Sequence, residues 1–456
     1  MRIALPHVVF LLVMVPAAPA QVLVEKPVPE LVMDLRSIDP RVRLNALLVL
    51  ADSPVQGEKA VPAIAKLLGD GVPAIRLQAV KTLSAYGKDG AAAAPALIKS
   101  LTDSDPMVRS TAAEVLRQMG EDLAPALRDV LKEGAPAIRL AVLQLVEAMA
   151  MPPAELLPVL APLALKDPQT PIRRAAFMAL VKMGPENEDA MKILAQTVRD
   201  RDTPLRVAAV GVLLNAGKEH WEHLAKAMDD PVADVRLSMV QALGSKVDEL
   251  DEVHVKALRK GLEDADVRVR LTAVTAVANM QIAAREKGGG KDMFSAVAKL
   301  ASDPDPAVRR SAIWALGQIG IDDADELAVL AKGMKGNDPQ LRGLTVQALA
   351  QYLHEDTPEK FRTMIGERLA DGLRDPDRRV QSVAAEILSK EGPAALPVLM
   401  QVMEKGGGNS RLWAAYLLGE LGVEARAALP LLEKMAREST PEGRLVARAA
   451  IQKINM

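Results

Sequence analysis

Residues 303–320 read DPDPAVRRSAIWALGQIG, and residues 103–120 read DSDPMVRSTAAEVLRQMG. Both open on Asp-x-Asp-Pro, pass through Val-Arg and close on glycine. With Arg309 as position zero, the equivalents are Arg43, Arg76, Arg109, Arg139, Arg173, Arg206, Arg236, Arg270, Arg309, Arg342, Gln381, Arg411 and Arg444. The steps between them are 33, 33, 30, 34, 33, 30, 34, 39, 33, 39, 30 and 33 residues. A period of this size marks stacked repeats rather than independent globular domains, and the anchors number thirteen.

The register can be checked along the anchors. Position +7 is aliphatic in all thirteen repeats, position +3 is Ala in ten, and position −1 is Val, Ile or Leu in eleven. Positions −1, +3, +7 and +10 share one face of a helix with 3.6 residues per turn. Asp39-Pro40, Asp105-Pro106, Asp305-Pro306 and Asp338-Pro339 place a capping carboxylate before a proline. Proline is tolerated in the first turn because its missing N–H would be unpaired there anyway. Gly87, Gly120, Gly184 and Gly320 supply the stop. A second apolar segment precedes each anchor helix, as in Ala60–Leu68, Ala92–Leu101 and Ala425–Met435. Each repeat is therefore expected to hold an A helix, a tight Asp-Pro turn and a B helix carrying the anchor. The whole should hold about 26 helices and no sheet, since neither helix can bury its apolar face until the next repeat stacks on it.

Composition agrees. Hydrophobic residues make up 49% of the 456-residue chain, but only 2% are aromatic, so the core is aliphatic and rich in alanine. The net charge of −2 gives no electrostatic footprint for nucleic acid. With no cysteine, disulfides, thiolate catalysis and thiolate metal sites are excluded. The N-terminal stretch MRIALPHVVFLLVMVPAAPAQ has a basic start, a short apolar run and an Ala-Pro-Ala cleavage site before Gln21. It is expected to be a secretory signal peptide over residues 1–20, followed by a linker over 21–28 and the repeat array over 29–456. The apolar run is shorter than a membrane-spanning helix requires. The mature protein is expected in the periplasm or outside the cell, with no stable insertion in a membrane.

The D-x-D-P-x-V-R-x-x-A-x-x-A-L-x-x-x-G pattern resembles HEAT repeats, most of all the short subtype named after phycobilisome lyases. It lacks the aromatic positions of tetratricopeptide repeats and the Thr-Pro-Leu-His turns of ankyrin repeats. The resemblance implies an all-α, right-handed α-solenoid superhelix of about thirteen stacked helix-turn-helix repeats, HEAT- or armadillo-like. Ten repeats carry Asp four or six residues before the anchor. A guanidinium can bridge such carboxylates within or between repeats, and HEAT arrays use a stacked Asp–Arg ladder of this kind. The candidate ladder residues are Asp105, Arg109, Asp305, Arg309, Asp338 and Arg342. The repeats anchored at Arg411 and Arg444 lack the Asp, so the ladder should end before them.

Three stretches interrupt the pattern: Arg285–Asp292 (REKGGGKD), His354–Arg362 (HEDTPEKFR) and Gly406–Gly408. All are expected to be surface loops. The first lacks the spacing of a phosphate loop and has no strand before it.

Little else points to catalysis. His220 and His223, in EHWEH, stand three residues apart and could hold a metal with a neighbouring carboxylate; a charged, solvated face is the alternative. Deoxyhypusine hydroxylase, a HEAT-type enzyme, builds a di-iron site from several His-Glu pairs, and this chain has one, His354-Glu355. No residue matches a chromophore-attachment role of the bilin lyases, and DNA glycosylases of related fold need a basic, aromatic groove. The expected function is that of an exported, non-enzymatic scaffold binding protein partners, with no cofactor and no nucleic acid. A metal protein or HEAT-type enzyme, bilin-lyase-like or oxidoreductase-like, using the loops or histidines is the alternative.

In HEAT arrays the B helices line the concave face. Positions +5 and +9 should point outward there. Trp314 and Tyr416 occupy +5, Trp413 lies at +2 of its repeat, and Gln318 at +9. These residues are the partner-binding candidates, and packing against neighbouring helices is the other outcome open to the aromatics.

Overall fold

The structure, a computed structural model, describes residues 26–52, 58–217, 224–245, 252–285, 291–321, 324–353 and 357–456. Among them the chain is an all-α solenoid of 25 α-helices with short 3₁₀ segments and no strand. It divides into two compact units that meet in sequence at Gly184 and Pro185. The first holds the repeats anchored from Arg43 to Arg173, and the second those from Arg206 to Arg444.

The B helices start where the Asp-Pro pairs place them. Examples are Pro106–Met119, Pro306–Ile319 and Pro339–Ala350. Asp105 Oδ accepts from the backbone N–H groups of Met107 and Val108, Asp305 from those of Ala307 and Val308, and Asp338 from that of Gln340. Seven glycines have positive φ: Gly87, Gly120, Gly184, Gly217, Gly320, Gly392 and Gly422. Every one stands eleven residues after its anchor, where the chain leaves the B helix through a conformation that costs other residues strain.

Successive B helices pack on one another within each unit. Position +3 is buried in every repeat, and +7 in all but the one anchored at Arg444, where Ile451 is half-buried. Three B helices approach closely through glycine at +8. A Cβ on Gly244, Gly317 or Gly419 would lie 2.9–3.1 Å from the Cβ of Ala276, Ala348 or Ala450, each at +6 of the following repeat. Two tyrosines at +10 tie repeats together by their hydroxyls. Tyr86 donates to the Leu50 carbonyl at 3.1 Å, and Tyr352 donates to the Leu316 carbonyl at 2.6 Å. Both acceptors lie in the last turn of the preceding B helix, whose carbonyls have no partner within their own helix.

The A segments differ from expectation. The apolar stretch Ala92–Leu101 is not one helix: a 3₁₀ segment, Gly87–Ala93, leads into an α-helix, Ala94–Ser100. The same break recurs before Leu157–Lys166, Leu396–Lys405 and Leu429–Glu438, each with proline in its first turn. Proline has no N–H to continue an α-helix from the preceding turn, so the α-helix begins at it.

Two of the expected loops are shorter than the sequence suggested. The B helix anchored at Arg270 runs through Val267–Arg285, and the next helix begins at Lys291, so both ends of the Arg285–Asp292 stretch are helical. The Gly406–Gly408 run is a short link, exposed at Gly407 and Gly408 as expected of a surface loop but buried at Gly406. Helix Gly408–Glu420 starts within it, and Gly406 is buried where a Cβ would meet the Val402 carbonyl at 2.4 Å. Of the His354–Arg362 stretch, Glu359–Arg362 form the first turn of helix Glu359–Leu373. Residues 354–356, the histidines His220 and His223, and residues 1–25 lie outside the described residues.

Candidate functional site

The anchor arginines form a ladder, and of the two pairings open in the sequence, within or between repeats, it is paired between repeats. Where a rung forms, the guanidinium reaches forward to the first Asp of the next repeat's turn, six residues before the next anchor. Arg43 pairs with Asp70, Arg76 with Asp103, and Arg139 with Asp167 in the first unit. Arg206 pairs with Asp230, Arg236 with Asp264, Arg270 with Asp303, and Arg342 with Asp375 in the second. Five of these rungs, those of Arg76, Arg206, Arg236, Arg270 and Arg342, are bidentate through Nε and Nη2. Arg76, Arg206, Arg236, Arg270 and Arg342 also turn Nη1 back onto the carbonyl six residues before them, at 2.7–2.9 Å. The rung carboxylate in turn accepts the backbone N–H two residues further on, as Asp103 does from Asp105 and Asp375 from Asp377, both at 2.8 Å. One carboxylate thus shapes its own turn and holds the previous B helix.

Asp105, Asp305 and Asp338 are therefore helix caps, not the partners of Arg109, Arg309 and Arg342. Asp338 pairs with Arg310 at 3.0 Å, and Arg342 with Asp375. Arg109 and Arg309 have no carboxylate partner among the described residues. Each donates Nη1 to two carbonyls of its own turn, those of Asp103 and Ser104 and those of Asp303 and Pro304. Gln381 keeps the inner bond alone, donating to the Asp375 carbonyl at 2.7 Å. Arg411 and Arg444 likewise bond carbonyls, of Glu404 and Ser439. Sequence could not choose between the two aspartates of D-x-D-P, because both lie within a guanidinium's reach of an anchor along the chain.

Within each unit the B helices present an outward face through their +5 positions. All thirteen +5 residues are exposed, from Leu48 to Ala449. Most are polar or small; Trp314 and Tyr416 are large and aromatic, with relative exposures of 40% and 50%. They are not tucked against neighbouring helices. Trp413 is half-buried and meets Tyr416 edge to face, with ring centroids 6.4 Å apart. Lys453 Nζ lies 5.7 Å from the Tyr416 centroid. Beside this pair opens a cleft of about 540 Å³, bounded by Arg378, Gln381, Asn409, Leu412, Glu442 and Val446. Gln318 at +9 donates to Gln351, the +9 residue of the next repeat, at 3.1 Å. Its amide is thereby engaged across two repeats at the rim of the same face.

Among the described residues, no three His, Asp or Glu side chains gather closely enough to hold a metal ion. No described helix is long and apolar enough to cross a membrane.

A family profile described as HEAT repeats matches residues 28–117, 89–147, 124–214, 255–350 and 366–453. The chain belongs to the HEAT-repeat family. The match does not single out the phycobilisome-lyase subtype. No curated protein sequence matches the chain. Among solved structures, an engineered protein is similar over 94% of this chain and 99% of its own, with 20% identity and a TM-score of 0.31. Kap95p, in a structure with RanGDP, is similar over 94% of this chain and 72% of its own, at 12% identity and a TM-score of 0.38. Importin beta covers the same shares, at 14% identity and a TM-score of 0.36.

Proposed function

We propose that the protein is an exported, non-enzymatic HEAT-repeat scaffold, and that it holds an extended segment of a partner protein along the outer face of its B helices. The observation that carries this reading is the exposure of Trp314 and Tyr416, the two aromatic residues of a row that is mostly polar or small and whose other large apolar members are Leu48 and Met178. Large aromatic side chains left in water are favoured anchors in protein interfaces, since burying them gains area at little cost in rotamer freedom. The two positions stand three repeats apart, roughly 30 Å at 8–10 Å per helix layer. A small molecule cannot span that distance, whereas an extended chain can. The cleft beside Trp413 and Tyr416 would receive one side chain of that segment. Export rests on the N-terminal stretch, whose cleavage would leave Gln21 as the first residue.

Crosslinking mass spectrometry on the protein in its native envelope tests the docking face. Wild type should crosslink to a partner through lysines bordering the B helices, such as Lys390 and Lys453. The Trp314→Ala/Tyr416→Ala variant should lose those crosslinks while keeping its melting temperature. Unchanged crosslinks, or a large fall in melting temperature, would count against the reading. The mass of the mature chain tests export: retention of residues 1–20 would refute cleavage there.

A further inference from the structure

Rungs of the ladder need a carboxylate at one backbone position, and in a single repeat that position is glycine. Gly336 stands six residues before Arg342, where Asp303 and Asp375 stand before their own anchors. The turn is otherwise built as a rung. The Gly336 carbonyl accepts from Arg342 Nη1 at 2.8 Å, as the rung aspartates' carbonyls do for their anchors. Its backbone, at φ −76° and ψ 157°, is close to that of Asp200 at −63° and 148°, of Asp230 at −66° and 136°, and of Asp303 at −57° and 144°. This is extended backbone that any residue adopts. A Cβ added there would meet nothing closer than Leu341 Cδ2 at 3.4 Å, so no close approach demands the glycine.

Three groups that a rung carboxylate would serve are left facing the gap. Arg309 keeps its two carbonyl bonds through Nη1, but its Nε and Nη2 have no acceptor among the described residues. The Asp338 N–H corresponds to the Asp105, Asp305 and Asp377 N–H groups that each donate to a rung carboxylate. It has no acceptor among the described residues either. The gap opens into a cavity of about 730 Å³ whose lining includes Lys299, Lys332 and Lys335 beside Arg309, Gly336 and Asp338. That volume is within the usual range of small-molecule sites. Lys332 and Lys335 form no ion pair among the described residues, and Lys299 has only a 4.0 Å contact with Glu263. The one acid of the lining, Asp338, is engaged by Arg310 and by the Gln340 N–H.

Among the other anchors without a carboxylate partner, Arg109 shows what is particular here. Arg109 faces a turn of a different build, in which Glu133 is still the last residue of helix Ala124–Glu133 and Gly134 is packed with the Val130 carbonyl 2.5 Å from its would-be Cβ. The residue at the rung position, Glu133, is thus held in the helix and makes no ion pair among the described residues. The turn at Gly336 has the room, the backbone and the donors, and lacks only the acceptor.

We propose that this cavity binds a small soluble oxyanion of two or more charges, a phosphate or a polycarboxylate, which takes the place of the missing rung carboxylate. Two of its oxygens lie against Nε and Nη2 of Arg309, the fork that matches carboxylate and phosphate alike. Lys332 and Lys335 neutralise the remaining charge. The site is independent of the B-helix docking face, since it lies at the turns between A and B helices.

Isothermal titration of the full mature chain with inorganic phosphate and with citrate tests this, at an ionic strength held constant with sodium chloride. At least one of the two should bind at one site with a Kd of about a millimolar or tighter. Arg309→Gln should weaken it about tenfold or more, and Lys332→Ala/Lys335→Ala several-fold. Gly336→Asp supplies the carboxylate from the chain, so it should abolish binding and raise the melting temperature by about 1–3 °C. Phosphate binding without citrate, or the reverse, identifies which oxyanion the site takes. No heat from either at about 10 mM, tenfold above the expected Kd, would overturn the proposal. So would binding that survives both Arg309→Gln and Gly336→Asp. A lower melting temperature in Gly336→Asp would show that the turn is not a vacant rung, and Arg309→Gln still decides on binding.

Discussion

Arg342 holds Asp375 of the following repeat by both edges of a salt bridge, Nε to Oδ2 at 2.6 Å and Nη2 to Oδ1 at 2.9 Å, with side-chain exposures of only 11% and 5%. The pair joins one B helix to the next repeat's turn, so it stabilises a stacking interface rather than a single helix. Removing one partner of a buried pair leaves a desolvated charge, which costs more than the pair itself contributes. Arg342→Ala should therefore destabilise by about 2–4 kcal/mol, and the Arg342/Asp375 double-mutant cycle should give a coupling of about 1–3 kcal/mol. Arg309→Ala, which loses only two bonds to carbonyls, should cost about 1–2 kcal/mol. Urea denaturation of the four variants measures this. Equal losses at Arg342 and Arg309 would mean that the carboxylate rung adds nothing.

The same rungs set an acid limit. The hydrogen bond from Arg76 holds the Asp103 carboxyl below its ordinary value. Burial pushes Asp264 up, but the bonds from Arg236 and the Asp266 N–H bring it below the ordinary value as well. Asp266 and Asp377, bonded by Arg268 and Arg379, fall to about 2. A carboxyl depressed in the folded state stabilises it above the unfolded value, near 4, and that contribution is lost as pH falls through the folded value. Wild type should thus be more stable than Asp103→Asn at pH 6, and the difference should shrink between about pH 4 and pH 2. Melting temperatures of both proteins across that range provide the check; a difference independent of pH would contradict it.

Position +7 is the centre of the stack. Leu316 is fully buried, so Leu316→Ala should cost about 2–5 kcal/mol. Ile451, at the same position of the last repeat, is half-buried, and its replacement by Ala should cost clearly less, about 1–2 kcal/mol. Glu114 at +5 is exposed, with only surface bonds to Arg117 and Gln118, and Glu114→Ala should stay within about 0.5 kcal/mol. Comparable losses at all three would refute the register.

Two glycines inside B helices should respond with opposite signs. Gly317→Ala would place its Cβ 2.9 Å from the Ala348 Cβ and 3.2 Å from its Cα, so the helices must part, at about 1–3 kcal/mol. Gly343→Ala meets nothing within 4 Å and gains helix propensity, so it should stabilise by up to about 1 kcal/mol. Differential scanning calorimetry would show the two melting temperatures moving apart.

What the sequence determined by itself is what local geometry encodes. A period near 33 residues, alanine at +3, an aliphatic residue at +7 and, in seven repeats, glycine at +11 state which helix face is buried and where those B helices stop. Those requirements act within a repeat or between identical neighbours, so they recur as a pattern. The outward row at +5 follows from the same 3.6-residue turn. Tertiary structure decided what depends on distances between repeats. It chose the first Asp of D-x-D-P as the rung and left the second as the cap, because the first meets the preceding anchor's guanidinium while the second accepts the N–H groups of its own helix. It left Trp314 and Tyr416 in water, an outcome set by how closely adjacent B helices pack. It gave Gly336 its meaning too: in sequence it is one more glycine before a turn, and in space it is the one place in an otherwise complete rung where the acceptor is missing.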